Sequence, residues 1–194
     1  MSDVSFLLGL GNPGDSYSGT RHNLGKRTLD LLAAKHDLTW STVSGTCVEA
    51  RYEIGDRVVL LVKPLIYMNE SGRALGHYDS IDSRSLLVIC DDINLPLGRL
   101  RLRERGGSGG HRGIESVAMH LGTDDFPRLR MGIGPAPPGE DWSDYVLSPF
   151  LAEEREDVEQ MIATAALALE LIIREGLEAA MQTFNRKDPP QSSP

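Results

Sequence analysis

The chain has 194 residues, of which 40% are hydrophobic and 25% are charged, and its formal net charge is −8. This length and composition suit one folded domain, and the apolar runs are too short to cross a membrane, so no membrane partner is expected. With only two cysteines, a disulfide framework is excluded and a reducing cytoplasm is the expected location.

The first predicted strand is Val4–Leu8, and it leads into a polar loop and then an amphipathic helix over Leu24–Leu38. The loop carries His22 and Asn23 at its end. Open α/β sheets bind ligands at the carboxyl ends of their strands, and histidine is the side chain that exchanges protons near neutral pH. His22 is therefore a candidate acid–base residue.

Three glycines in this loop, Gly9, Gly11 and Gly14, match the dinucleotide motif G-x-G-x-x-G. That motif requires a helix within the glycines and an acidic residue about 20 positions later, at the end of a second strand. Asp30 has the distance, but the spacing of its apolar neighbours places it in mid-helix. The pattern therefore argues against a Rossmann-type oxidoreductase.

A hairpin and a short helix are predicted next. Thr46–Ile54 and Arg57–Val62 form the hairpin strands around a Gly-Asp turn, and Ser71–Tyr78 forms the helix. Asn69 lies between strand and helix. It is either a polar site residue or only a helix cap.

A continuous apolar run over Ser85–Cys90 predicts a buried central strand, with Asp91 and Asp92 at its carboxyl end. These carboxylates either serve a turn or hold the ring N–H of a histidine. Pairing of Asp91 with His22 is the hypothesis that carries chemistry.

Arginine alternates with other residues over Arg99–Arg105, in a strand predicted to begin at Leu100. A period of two places these four arginines on one face, which is either a solvated face or a binding face. A glycine-rich loop over 106–113 then enters a helix over 113–121, whose free N–H groups favour phosphate. Residues 99–130 hold seven arginines and four acids, so this region is basic although the whole chain is acidic.

Leu129–Ile133 predicts another strand, and residues 151–175 predict a strong amphipathic helix. Alternating strands and helices indicate an α/β fold, with a mixed, mostly parallel, twisted sheet flanked by helices and a C-terminal amphipathic helix. We expect one globular domain over residues 1–186 and a disordered, Pro- and Ser-rich tail over residues 187–194.

No motif points to a metal or to another cofactor, because C-x-x-C, H-E-x-x-H and clusters of His and acidic residues at ligand spacing are all absent. Ser71 and Ser108 are the candidate nucleophiles of a serine hydrolase, but neither lies in G-x-S-x-G.

Three segments, over residues 9–23, 64–72 and 91–113, together resemble the bacterial peptidyl-tRNA hydrolase family, and the similarity extends from about Phe6 to Asn185. The resemblance implies a cytoplasmic, monomeric, metal-independent esterase. Its substrate would be tRNA carrying a peptidyl or N-blocked aminoacyl group. It would cleave the ester to the 3′-terminal ribose and so rescue stalled translation products.

The resemblance also implies roles for individual residues. His22 matches the general base, Asp91 matches its support, and Asn12 matches the residue that separates blocked from free aminoacyl ends. Asn69 and Asn12 are candidate oxyanion donors, as is a backbone N–H. The implied contacts to peptide or tRNA are Tyr17, Tyr67, Met68, Asn69, His111 and Arg112, with Arg103 and Arg130 at the tRNA 5′-phosphate.

The sequence departs from the family pattern at several positions, among them Cys90 in place of a usual His and Asn94 in place of a usual Asp. Arg112 stands where family members often carry Asn, and residues 137–141 replace a basic stretch near the lid with Pro-Pro-Gly-Glu-Asp. A non-catalytic RNA-binding protein on the same fold is therefore the alternative. Intact His22 and Asp91 favour the enzyme.

Overall fold

The computed structural model describes residues 4–79 and 81–185. Within them, seven strands form one mixed sheet in the spatial order β2-β3-β4-β1-β5-β7-β6. The strands are β1 (Phe6–Gly9), β2 (Ser41–Ser44), β3 (Cys47–Ile54), β4 (Arg57–Pro64), β5 (Leu86–Pro96), β6 (Leu100–Arg103) and β7 (Arg128–Gly134). The α-helices are α1 (Leu24–Lys35), α2 (Arg112–Leu121), α3 (Trp142–Leu147), α4 (Arg155–Glu175) and α5 (Leu177–Phe184). Short 3₁₀ helices cover Asp15–Tyr17, Arg21–Asn23, Met68–His77, Ser83–Ser85 and Ala152–Glu154.

The four central strands, β4, β1, β5 and β7, run parallel, whereas β3 and β6 pair antiparallel with the outer two of them and β2 continues the sheet beyond β3. The carboxyl ends of the parallel strands therefore meet at one edge of the sheet. The loops that follow β1 and β4 start at this edge, and β5 brings Asp91 to it. The fold thus places these two loops and Asp91 at the same edge of the sheet.

Both faces of the sheet are buried because helices pack on each. Leu7 on β1 faces the layer formed by α1, α4 and α5. Its neighbours Phe6 and Leu8 face the layer formed by α2 and the 3₁₀ helix Met68–His77. The side chains of β5 alternate between the same two layers. Because both layers are apolar, the sequence of the strand is a continuous apolar run. This architecture confirms the predicted fold class.

Several element boundaries differ from the prediction. The predicted helix Ser71–Tyr78 is a 3₁₀ helix that begins at Met68, and the predicted strand Ser85–Cys90 continues to Pro96. The longer strand arises because β5 remains paired with β7 beyond Asp91, through an irregular register. Two short elements, β2 and α3, were not predicted. The last helix begins at Arg155, and the chain continues into the unpredicted α5.

The prediction that four arginines share one strand face is wrong for two of them. Only Arg101 and Arg103 lie on β6. Arg99 lies in the turn before it, where its N–H donates to Pro96 O, and Arg105 follows the end of the strand. The positive φ of Gly98 makes this turn and shortens the strand.

Helix α1 packs closely against the sheet at Gly25. A Cβ at this position would lie 2.3 Å from Ile89 O on β5. The glycines of β1 and α1 therefore serve a close approach of helix and sheet. Asp30 lies in the middle of α1 and contacts Lys63 Nζ, as expected for a residue with no nucleotide role.

None of the helices in the described residues combines the length and apolar character that a membrane span requires. The predicted tail, residues 187–194, lies outside the described residues, and the domain boundary at residue 186 stays a prediction.

Candidate active site

A cleft of about 630 Å³ opens at the carboxyl ends of the parallel strands. It collects ten of the eleven residues that the sequence predicted for the site, and it leaves out Arg103. The predicted residues that line it are Asn12, Tyr17, His22, Tyr67, Met68, Asn69, Asp91, His111, Arg112 and Arg130.

His22 and Asp91 form a buried pair in this cleft. His22 Nδ1 lies 2.8 Å from Asp91 Oδ1, and the two side chains are 11% and 2% exposed. Because a carboxylate only accepts, Nδ1–H is the donor. Nε2 is thereby left unprotonated and, within the described part of the chain, without a hydrogen bond.

The turn that carries His22 is held from outside the cleft. Arg21 N donates to Ser148 O at 3.1 Å, and the Arg21 guanidinium donates to Glu154 at 2.7 Å. The same guanidinium lies over the rings of Tyr145 and Phe150. The neighbouring residue Arg21, which the sequence did not single out, therefore fixes the position of His22.

His111 supports the pair from the other side. Its Nδ1 accepts hydrogen bonds from Gly113 N and Ile114 N, at 3.1 and 3.3 Å. Backbone N–H groups only donate, so the proton of the neutral ring lies on Nε2. That N–H donates to Asp91 Oδ1 at 3.1 Å. Two of the first N–H groups of α2, those of Gly113 and Ile114, are thus capped, and the prediction that the N–H groups are free for phosphate is wrong for these two.

Asp91 is consequently held as a carboxylate. Burial on its own raises the pKa of Asp91, but the charges and hydrogen bonds of His22 and His111 outweigh it and bring the pKa well below its ordinary value. An ionised carboxylate beside His22 stabilises the imidazolium that forms when the ring takes up a proton.

Asn12 is fixed by its neighbours. Its backbone N donates to Asn23 Oδ1 at 2.8 Å, and its backbone O accepts from Asn23 Nδ2 at 3.1 Å. Its Oδ1 accepts from Met68 N at 2.8 Å. The amide N–H₂ of Asn12 is therefore the group left to donate to a ligand. The role of Asn23 was missed, although its carboxamide beside His22 was visible in the sequence.

Asn69 is exposed and lines the cleft. The 3₁₀ helix that contains it begins after Tyr67, and no side chain caps that helix. The interpretation of Asn69 as a helix cap is therefore wrong, and its role as a site residue stays a prediction. Tyr67 is 57% exposed beside it and offers an aromatic face to the cleft.

The predicted arginines have different surroundings. Arg130 Nε lies 3.0 Å from Asp92 Oδ2, a pair that the sequence did not predict. Arg128 is fully buried and donates to the carbonyls of Gly106 and Gly107, so it anchors the glycine-rich loop. Arg103 is exposed on β6, in register with Arg128.

One part of the cleft wall comes from the unpredicted helix α3 and the residues before it. Asp141 caps this helix by accepting from Ser143 N at 2.8 Å. Trp142 is 60% exposed at the mouth of the cleft. Glu140 also lines the cleft, so this part of the wall is aromatic and acidic.

The described residues contain one group of three or more side chains with metal-ligand atoms close together, namely His22, Asp91 and His111, whose atoms lie within 4.8 Å of one another. These atoms are hydrogen-bonded to each other, which is the arrangement of a histidine base with carboxylate support. The serine candidates differ, since Ser71 Oγ donates to Met68 O and Ser108 Oγ to Glu115. Neither has a histidine base.

Comparison with known proteins identifies the family. The sequence profile of the peptidyl-tRNA hydrolase family matches residues 6–192. The peptidyl-tRNA hydrolase of Methylacidiphilum infernorum is 45% identical over 95% of this chain and 100% of its own length. That of Chloroflexus aggregans is 47% identical over 92% and 97%. The crystal structure of the Acinetobacter baumannii peptidyl-tRNA hydrolase superposes with a TM-score of 0.87 at 32% identity, covering 95% of this chain and 96% of that one. The chain therefore belongs to the peptidyl-tRNA hydrolase family.

Proposed function

We propose that this protein hydrolyses the ester bond between a peptide, or an N-blocked aminoacyl group, and the 3′-terminal ribose of tRNA. The products are free tRNA and peptide, so the reaction rescues stalled translation products. Membership of the peptidyl-tRNA hydrolase family supports this activity. The observation that carries the chemistry is the Nδ1–H of His22 bonded to Asp91, with no hydrogen bond to Nε2 from any of the described residues.

His22 acts as the general base. Its Nε2 removes a proton from a water molecule as the water attacks the ester carbonyl, and Asp91 stabilises the resulting imidazolium. Such catalysis contributes about 10²–10⁴ in rate. His111 contributes indirectly, because the hydrogen bond from its Nε2–H holds the carboxylate of Asp91 in place.

The amide of Asn12 is the donor best prepared for the developing oxyanion, because hydrogen bonds to Asn23 and Met68 already fix its backbone and its Oδ1. One preorganised donor contributes about 10²–10³ in rate. Asn69 is the second candidate donor and is more exposed.

The remaining residues bind substrate. Tyr17, Tyr67 and Met68 line the cleft where the ends of tRNA and peptide would meet. Arg130 and Arg103 would contact phosphate groups of the tRNA, Arg103 from outside the cleft. We also propose that the enzyme acts as a monomer in the cytoplasm, which sedimentation and fractionation would test.

The decisive experiment measures release of acetyl-amino acid from acetyl-aminoacyl-tRNA, with the unacetylated form as the comparison. The wild type is expected to cleave the acetylated form preferentially. His22→Asn is expected to lose about 10²–10⁴ in kcat and to keep its affinity for tRNA. His120→Asn is the matched control, because His120 is an exposed residue of α2 that does not line the cleft.

Turnover by His22→Asn at the wild-type rate would contradict the general-base role. Binding of tRNA without hydrolysis by the wild type would instead favour the non-catalytic RNA-binding alternative.

A further inference from the structure

Arg112 is the first residue of α2, and its exposed side chain lines the cleft. In the described part of the chain it makes no hydrogen bond or ion pair. Two neighbouring arginines do have such partners. Arg130 at the cleft pairs with Asp92, and Arg128, which anchors the glycine-rich loop, donates to backbone carbonyls. Among the residues described, Arg112 is therefore the cation of this cleft that makes no hydrogen bond or ion pair, and its charge acts on Asp141 over a longer distance.

Folding does not explain this arginine. The amino end of a helix carries a partial positive charge, so a cation in the first turn is unfavourable, and an acidic residue is preferred there. The cap of α2 is already supplied by His111. A guanidinium at this position, with no hydrogen bond or ion pair among the described residues, is thus disfavoured by the helix, and it is exposed in the cleft, where it can contact a ligand.

The substrate offers one anion that is always close to the ester. The peptide end varies and is often neutral, but every tRNA has a phosphodiester on the 5′ side of its terminal adenosine, one ribose away from the ester. Arg112 directly follows His111, which touches Asp91, so Arg112 stands next to the catalytic pair. A guanidinium matches a phosphate with two parallel hydrogen bonds.

Two carboxylates that line the same cleft disfavour a phosphate beside them. They belong to Glu140 and Asp141. Hydrogen bonds from Ser143 and, more weakly, the charge of Arg112 lower the pKa of Asp141, so this side chain is ionised at neutral pH. The carboxylates of Glu140 and Asp141 repel an RNA backbone, whereas the guanidinium of Arg112 attracts it.

We propose that Arg112 binds the last internucleotide phosphate of the tRNA and thereby places the terminal ribose and its ester beside His22. This inference rests on the proposed function. It makes Arg112 a residue that binds the RNA end rather than the peptide.

The test replaces that single phosphate by an uncharged methylphosphonate in acetyl-aminoacyl-tRNA, prepared by ligation of a synthetic 3′ fragment. For each protein variant, kcat/KM is measured on the two tRNAs. The ratio between them reports how much the phosphate charge contributes. The wild type is expected to favour the phosphodiester by roughly tenfold, as for one hydrogen bond to a charged group. In Arg112→Gln the ratio is expected to approach one.

Two further variants complete the experiment. Arg112→Lys keeps the charge and is expected to retain part of the ratio. Arg84→Gln removes an exposed arginine at the opposite, amino end of β5, and it is expected to keep the wild-type ratio.

A wild type that hydrolyses both tRNAs equally would overturn the role of Arg112, and so would an Arg112→Gln variant that keeps the wild-type ratio. In both cases the proposed function stands, because hydrolysis is observed. Failure of the wild type to hydrolyse the unmodified acetyl-aminoacyl-tRNA would instead overturn the proposed function, and the inference about Arg112 with it.

Discussion

Lys26 on α1 donates a hydrogen bond at 3.0 Å to the backbone O of Asn12, a residue that lines the cleft. Burial and then the charge of Lys63 lower the pKa of Lys26 to about 8, although Asp30 opposes the shift. A neutral amine still has N–H groups to donate. The bond to Asn12 therefore survives deprotonation, while the charged form carries a desolvation cost in the folded state.

This arrangement predicts a pH-dependent stability difference between the wild type and Lys26→Met. Below about pH 8 the lysine is protonated in both folded and unfolded chains, so the full desolvation cost of the buried ammonium group lowers the stability of the folded chain. As the pH rises from about 8 towards the ordinary value of 10.5, the folded chain releases its proton first. The wild type should then gain stability relative to the variant.

Urea unfolding of both proteins across that interval measures the difference in free energy of unfolding. A difference that stays constant from pH 8 to 10.5 would contradict the burial of Lys26 as the cause.

At the scale of the element, α2 is joined to the catalytic pair through its cap. His111 accepts two backbone N–H groups of the helix with one ring nitrogen and donates to Asp91 with the other. The same side chain, His111, therefore both stabilises the start of α2 and orients the carboxylate of Asp91.

Two substitutions separate these functions of His111. Asparagine is a good cap but is too short to reach Asp91, whereas alanine loses both contacts. We expect His111→Ala to be about 1 kcal/mol less stable than His111→Asn, and both to lose roughly tenfold in kcat. Denaturant unfolding and acetyl-aminoacyl-tRNA hydrolysis measure the two effects. If His111→Asn keeps the wild-type kcat, the hydrogen bond from His111 to Asp91 does not contribute to catalysis.

The elements that the sequence predicted well are those with a strong apolar pattern. The run that ends at Cys90 predicted β5 and placed Asp91 at the sheet edge, and the periodicity of residues 151–175 predicted α4. By contrast, β2 is a four-residue strand whose side chains are mostly exposed, and α3 spans six residues. Neither has enough buried side chains to produce a periodic signal.

The site was predictable to a similar degree. Motifs identified the residues that line the cleft, but contacts such as Arg130 with Asp92 depend on how loops distant in sequence pack together. The tautomer of His111 depends on backbone N–H groups, which no side-chain pattern reveals. Arg103 lies outside the cleft on β6, the last strand of the sheet. The alternation of arginines does not reveal where that strand lies in the sheet.

At the scale of the whole molecule, charge is divided between regions. Exposed Arg101 and Arg103 lie on the edge strand β6, whereas α4 and the residues that flank it hold most of the acids of the carboxyl-terminal part. Exposed charges separated by more than about 8 Å are largely screened at physiological salt. A total of −8 therefore does not prevent a local basic surface from binding RNA.

This division predicts which arginines determine the salt dependence of tRNA binding. Arg103→Gln should weaken binding and lower the slope of log affinity against log salt concentration by about 1, because one phosphate contact is lost. Arg155→Gln removes the same charge from an exposed residue at the start of α4. If local potential governs binding, this control keeps the wild-type slope, whereas equal effects of the two substitutions would show that net charge governs it. Fluorescence anisotropy titrations of labelled tRNA at several salt concentrations measure both slopes.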